Sequence, residues 1–485
     1  MRHTKTFALA ALLLLAAFSA TALLAEDSIY RLNKEPFSQT LRALLDAARD
    51  DLGITINVTP GAEKYLDQTV PMAPWKYWSD PQLRLAYILA PLDLSFEKKG
   101  ENEYLVFEPI YHIRPESEAA NHLKRLLAHY PDLASWEARR EEVKASMLRK
   151  LRLDPMPIRC TSDPILGEER IHDGYSVRNI ALEVIPHYWL CGSLYRPLEQ
   201  NTPFPVFAVP HGHGQNGRFD ENQQIRAATL ARMGATALAY SMFAWIEGET
   251  PLKHTDHQNP ISGTMQTLAT MRVVDYLLSL EGADPTRVGI TGESGGGTQT
   301  FYATALDDRI TLAVPVVMVS AHFFGGCPCE SGNPVHIETR TCNAEIAALA
   351  APRPLKLVAV TQDWTKNTPE VEYPYIRTIF GYYGAEENVE YEIFDEKHDY
   401  GPSKRQAMYP FVAKHFGMDA EKIDESKVTI ETKETLFPFG PELENYPADG
   451  VRSLEELLEA FEQCPKQQAA PAEQETPAEQ DAQSF

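Results

Sequence analysis

An α/β architecture is predicted from three observations on this chain: a mostly parallel central sheet with helices on both faces, preceded by a small α+β domain. Apolar runs that suit buried strands recur through residues 156–464, stretches of helical period separate them, and one strand-to-helix junction is crowded with glycine. That junction reads Gly292-Glu293-Ser294-Gly295-Gly296-Gly297, with the apolar strand Arg287 to Thr291 before it and a helix over Thr298 to Leu306 after it. A Gly-x-Ser-x-Gly turn in this setting is the nucleophile elbow of an α/β-hydrolase fold. The tight corner demands glycine at 292 and 296, lifts the Ser294 hydroxyl above the sheet edge, and aims the Gly295 backbone N–H at the same spot.

A serine hydroxyl attacks only when a base takes its proton, and in this fold acid and base follow the serine in that order. The buried strand pattern Pro354 to Val360 runs into Asp363, and the alternating strand Val389 to Phe394 runs towards His398. Both residues therefore fall at C-terminal strand ends, the edge on which open α/β sheets build their sites. The expected roles are Ser294 as nucleophile, His398 as base and Asp363 as the carboxylate that orients it. Asp399 is a rival acid; His254, His257, His322 and His336 are rival bases.

The oxyanion of an acyl-transfer intermediate needs preorganised donors. The strand Pro205 to Pro210 leads into His211-Gly212-His213-Gly214, whose backbone at His213 or Gly214 is expected to supply a second N–H beside that of Gly295. Glycines in this loop suit close backbone approach. His211 and His213 show no third ligand at a recognisable spacing, so no metal and no cofactor is expected. The strand Ala235 to Tyr240 leads into Met242-Phe243-Ala244-Trp245, whose Phe243 and Trp245 are expected on the wall of the site mouth, with Glu293 and Trp364 as further candidate substrate contacts.

The run VDYLLSLEGADPTRVGITGESGGGTQTFYATALDDRI, the HGHG loop, and APRPLKLVAVTQDWTKNTPEVEYPYIRTIFGYYG together resemble the acetyl xylan esterase-like α/β-hydrolases over residues 130–440. These are relatives of carbohydrate esterases and, more distantly, of the prolyl-oligopeptidase catalytic domain. The resemblance implies a serine esterase acting on carboxylic esters, with an acetyl group on a glycan or a small ester as substrate. His322 to Glu330 departs from the family pattern. Two other readings are a prolyl-oligopeptidase-related peptidase, for which the chain lacks a propeller's length and repeats, and a non-catalytic envelope binding protein.

Residues 1–25 carry Arg2 and Lys5 before an apolar run from Phe7 to Phe18 and then small residues, the pattern of a signal peptide cleaved after Ala22 or Ala25. An exported protein, periplasmic or secreted and without a transmembrane anchor after cleavage, is expected. A formal charge of −23 on 485 residues excludes a general nucleic-acid binder, which needs surplus Lys and Arg. Export permits disulfides, and Cys342 with Cys327 or Cys329 is expected to pin the loop after the sixth strand, while Cys160 and Cys191 suit buried thiols; a zinc or redox site at Cys327-Pro328-Cys329 is an alternative that the spacing does not support.

Residues 27–110 alternate strand and helix patterns: a strand at Ser28 to Leu32, a helix with Phe37, Leu41, Leu44, Leu45 and Ala48 on one face, a strand at Ile54 to Val58, a second helix from Ser79 to Leu89, and a hairpin over Leu94 to Phe107. This order resembles the short N-terminal (STN) domain of secretins and TonB-dependent receptors, which implies an envelope protein partner. Residues 111–155 read as a connector of two helices broken at Pro131. Within 156–464, antiparallel strands are expected at Val177 to Ile185 and Trp189 to Tyr195, with helices at Glu221 to Met233, Gly263 to Leu280, Pro369 to Tyr383 and Ser403 to Phe416. A final hairpin is expected over 427–439 and a last helix over Ser453 to Glu462, while residues 465–485 are too polar to bury a core.

Overall fold

A computed structural model describes residues 38–71, 81–89, 92, 94–107, 114–246, 248–332 and 339–467. The expected signal peptide, the strand at 28–32 and the tail beyond 467 lie outside them. The chain divides into two compact units, residues 1–109 and 110–485.

In the first unit, strands β1 (Ser38–Thr40) and β3 (Thr69–Pro71) pair antiparallel, while β2 (Thr55–Val58), β5 (Glu103–Phe107) and β4 (Ser95–Lys98) form a second sheet in the order β2-β5-β4. The helix Leu41–Leu52 buries Leu41, Leu44, Leu45 and Ala48, the i, i+3, i+4, i+7 stripe of an amphipathic helix. The Thr40 hydroxyl accepts from the Ala43 N–H at its start, and Gly53, at φ 64°, closes it in the left-handed conformation.

The second unit is built on a nine-stranded sheet. Its strands are β6 (Ile165–Ile171), β7 (Tyr175–Ile185), β8 (Tyr188–Pro197), β9 (Phe204–Pro210), β10 (Thr236–Tyr240), β11 (Ala283–Glu293), β12 (Leu312–Val316), β13 (Leu355–Val360) and β14 (Val389–Phe394), in the spatial order β14-β13-β12-β11-β9-β10-β8-β7-β6. From β9 through β14 all neighbours are parallel; β6, β7 and β8 form an antiparallel flank joined to β10.

The near-continuous apolar runs of β9 and β13 follow from burial of both sheet faces. Val206 and Ala208 on β9, and Leu355 and Leu357 on β13, face one core with the helices Ile261–Ser279 and Gly295–Leu306; Phe207, Val209, Val358 and Val360 face the other with Glu221–Arg232 and Pro402–Phe416. Each fully buried Val, Leu or Phe contributes about 1.5–3 kcal/mol, so the two faces together anchor the strand ends that carry the site. The helices Glu116–His129 and Leu133–Lys150 flank Pro131 and dock on this unit through Arg139, whose Nε and Nη2 bind the buried Glu345 carboxylate at 2.8 and 3.0 Å.

Residues 427–439 do not form the expected hairpin. Two 3₁₀ turns, Glu425–Lys427 and Glu434–Leu436, carry the chain instead. Its carbonyls are taken by side chains rather than a ladder: Asn179 Nδ2 donates to the Thr435 and Phe437 oxygens, and Arg218 Nη2 to that of Leu436.

Candidate active site

Ser294 stands at the end of β11, at φ 54° and ψ −125°, a backbone conformation that non-glycine residues reach only under constraint. The constraint is close packing. A Cβ on Gly292 would meet the Gly296 and Pro210 carbonyl oxygens, both at 2.6 Å, and one on Gly296 would meet the His211 carbonyl at 2.8 Å. The Ser294 N–H donates to Val316 O at 3.1 Å, tying the elbow to β12.

Gly212, His213, Ser294, His398, Asp399 and Tyr400 help line one cavity of about 350 Å³ at the C-terminal edge of the sheet. The His398 Nδ1 lies 2.7 Å from Asp363 Oδ2, and the carboxylate is 3 % exposed against 28 % for the imidazole. The other Asp363 oxygen accepts from the Thr365 N–H and hydroxyl, both at 2.6 Å. The Trp364 ring packs 4.5 Å from the His398 ring and is backed by Phe323 at 4.1 Å, so it walls the imidazole. Asp399 is committed elsewhere: its Oδ1 accepts from Lys404 Nζ and the Gly401 N–H, each at 2.8 Å.

The loop after β9 lies directly against the elbow. A Cβ on Gly212 would meet Ser294 Cβ at 2.9 Å, and one on Gly295 would meet His213 Cε1 at 2.5 Å. Glu293 holds the loop there rather than presenting a free carboxylate. Its Oε1 accepts from the Gly212 N–H at 3.0 Å and from Gln223, while Oε2 pairs with the fully buried Arg226 at 3.0 Å. His211 accepts the Met242 N–H at Nε2 (2.9 Å), which leaves Nδ1–H to donate to Gly212 O at 2.7 Å; burial lowers its pKa and keeps the ring neutral.

Trp245 donates its indole N–H to Gly214 O at 2.9 Å and stacks edge-on to His213, so it braces the same loop. Phe243 corrects the sequence expectation. Its ring is 2 % exposed and packs in the core against Tyr188, because the chain turns between residues 243 and 245 and points the two aromatics to different surroundings. His254 and His322 bond to Trp245 O and Ser320 Oγ, and His336 lies outside the described residues.

A second cluster adjoins the elbow, and the linear sequence concealed it. His213, His257, Cys327 and Cys329 gather their ligand-type atoms within 4.8 Å of one another. No spacing in the sequence pairs His213 with further ligands; the fold supplies three from distant segments. The cysteine expectation is also corrected: Cys327 and Cys329 are joined to each other, whereas Cys342 is a buried free thiol. Burial pulls the pKa of His213 down to about 3 and that of His257 to about 4, and raises that of the neighbouring Glu330 to about 7.

A mixed, largely parallel sheet with helices on both faces and a serine on a strained strand-to-helix turn defines an α/β-hydrolase. The chain is 36% identical to methylesterase BT1017 over 88% of its own length and 98% of that structure, with a TM-score of 0.71, and it belongs to the family of that methylesterase. It is also 24% identical over 221 residues to "Putative hydrolase YtaP" of Bacillus subtilis (strain 168), covering 38% of this chain and 69% of that protein. A structure from Bacteroides fragilis NCTC 9343 described as a putative acetyl xylan esterase aligns at 13% identity over 60% of this chain and 86% of that one, with a TM-score of 0.44, a likeness too distant to add to the assignment. No family model matches the chain.

Proposed function

We propose that the protein is a serine esterase in which Ser294, His398 and Asp363 form the catalytic triad. The observation that carries this reading is His398, bonded to Asp363 at 2.7 Å through Nδ1 while sharing one cavity with Ser294. With Nδ1–H directed at the carboxylate, Nε2 is left as the base that takes the Ser294 proton as Oγ attacks the ester carbonyl. The backbone N–H of Gly295 and that of His213 or Gly214 receive the developing oxyanion. Collapse of the tetrahedral adduct expels the alcohol, protonated by His398, and water hydrolyses the acyl-serine by the reverse sequence of proton transfers.

The kinship with a methylesterase puts carboxylic methyl esters first as substrates, and acetyl esters of saccharides second. The two differ in which product carries the small group, so they are distinguished by assay. Wild type and Ser294→Ala are compared for methanol release from a methyl-esterified polysaccharide and for acetate release from an acetylated one. Methanol release lost in Ser294→Ala supports the first reading, and acetate release lost in that variant supports the second. Turnover that survives the substitution refutes the triad. Export is part of the same proposal. N-terminal sequencing of the mature protein should begin after Ala22 or Ala25, and an intact Met1 would refute it.

A further inference from the structure

We propose that His213, His257, Cys327 and Cys329 form a tetrahedral zinc site that ties the oxyanion-side loop to the two neighbouring loops of the sheet edge. The four residues come from three segments: His213 follows β9, His257 lies in the 3₁₀ turn His254–Gln258 after β10, and the two cysteines lie in the loop after β12. His213 Nε2 stands 3.2 Å from His257 Nε2, 3.1 Å from Cys329 Sγ and 3.2 Å from Cys327 Sγ, and the last sulfur is 3.4 Å from His257 Nε2. Zinc bonds of about 2.0–2.1 Å to nitrogen and about 2.3 Å to sulfur place tetrahedral ligand atoms roughly 3.3–3.8 Å apart, close to these four separations, while the two sulfurs, bonded to each other here, must part to about 3.8 Å.

Proton placement points the same way. His257 Nδ1 lies 2.6 Å from Phe243 O, a bond that only an Nδ1–H can make, so Nε2 presents a lone pair to the cluster. Nδ1 of His213 faces Glu330 Oε1 at 3.7 Å, the carboxylate side on which a metal-bound imidazole usually places its proton. The Nε2 atoms of both rings turn into the cluster 3.2 Å apart, where one cation in place of a shared proton reaches both. Trp245 stacks edge-on to both rings, at 4.6 and 4.9 Å, and closes the cluster with an apolar wall. Zinc is the cation this donor set fits, since paired thiolates and neutral imidazoles favour it over hard cations.

Cys327 and Cys329 are joined as a disulfide in this structure, and zinc belongs to the reduced pair. The disulfide reaches that form by taking two electrons and two protons from a dithiol, which is itself oxidised to a disulfide. Binding of Zn²⁺ then releases the two thiol protons.

The test is metal analysis of the full-length protein purified without chelator, before and after incubation with Zn²⁺ and a dithiol reductant. About one zinc per chain is expected in at least the second sample, and an at least tenfold lower content in Cys327→Ser/Cys329→Ser. Because that variant can misfold, wild type is also loaded with Co²⁺. Thiolate-to-cobalt charge-transfer absorption with intense tetrahedral d–d bands is expected, and Cys160→Ser should retain it. Absence of zinc and of the cobalt spectrum after reduction overturns the proposal and leaves a plain disulfide. Equal zinc in the folded double variant overturns it as well.

Discussion

Replacing Asp363 by asparagine tests the proposed triad at its carboxylate, which is 3 % exposed. The Asp363 Oδ1 accepts two bonds from Thr365, from its N–H and its hydroxyl, each at 2.6 Å. The oxygen of the substituted amide should stay there, because the reversed amide would set its NH₂ against the Thr365 N–H, losing that bond, worth about 1 kcal/mol, and adding donor–donor repulsion. The NH₂ therefore faces His398 Nδ1, which can only accept from it, and the ring proton moves to Nε2. That is the nitrogen required to take the serine proton. Wrong tautomer and lost imidazolium stabilisation together should lower kcat by about 10³–10⁴-fold, or roughly 4–5.5 kcal/mol in the barrier. The substitution is nearly isosteric, so thermal unfolding should move little. The assay is steady-state hydrolysis of a chromogenic aryl ester with a melting curve on the same sample. A folded Asp363→Asn variant within tenfold of wild-type kcat, or one altered only in KM, would refute the proton-placement argument.

Glu293→Ala leaves the buried Arg226 without its carboxylate and frees the Gly212 amide; a stability loss of about 3–5 kcal/mol by chemical denaturation is expected, with a lower kcat in the protein that remains folded. Gly292→Ala places a methyl 2.6 Å from two carbonyl oxygens, so little soluble folded protein should be recovered, whereas Gly214→Ala, where a Cβ meets nothing within 4 Å, should express normally. Glu372 is pushed up to about 7 by burial, although its carboxylate accepts the Ala321 N–H. The folded state therefore holds this proton more tightly than the unfolded chain, and its contribution is complete below about pH 4.5 and lost as pH rises through about 7. Glu372→Gln should flatten a decline on the order of 3 kcal/mol between pH 4.5 and 7.5, read from urea midpoints; an unchanged slope would sink the assignment.

The sequence by itself determined what is local. The elbow was legible because Gly292 and Gly296 are imposed by contacts inside one turn, and β9, β13 and β14 because strands buried on one or both faces show short-range apolar patterns. The strand ends that carry Asp363 and His398 followed from the same patterns. The antiparallel edge strand β6 was not legible, since its charged, half-exposed residues look like a loop, and residues 427–439 looked like strands because their carbonyl partners, Asn179 and Arg218, are far away in sequence. Only the tertiary structure decided which side chains share a space. Glu293 became a loop anchor, Phe243 a core residue, and His213 the neighbour of Cys329, 116 residues away. Periodicity reports which face of an element is buried, whereas the meeting of three loops depends on strand order across a sheet, a property that no stretch of sequence carries alone.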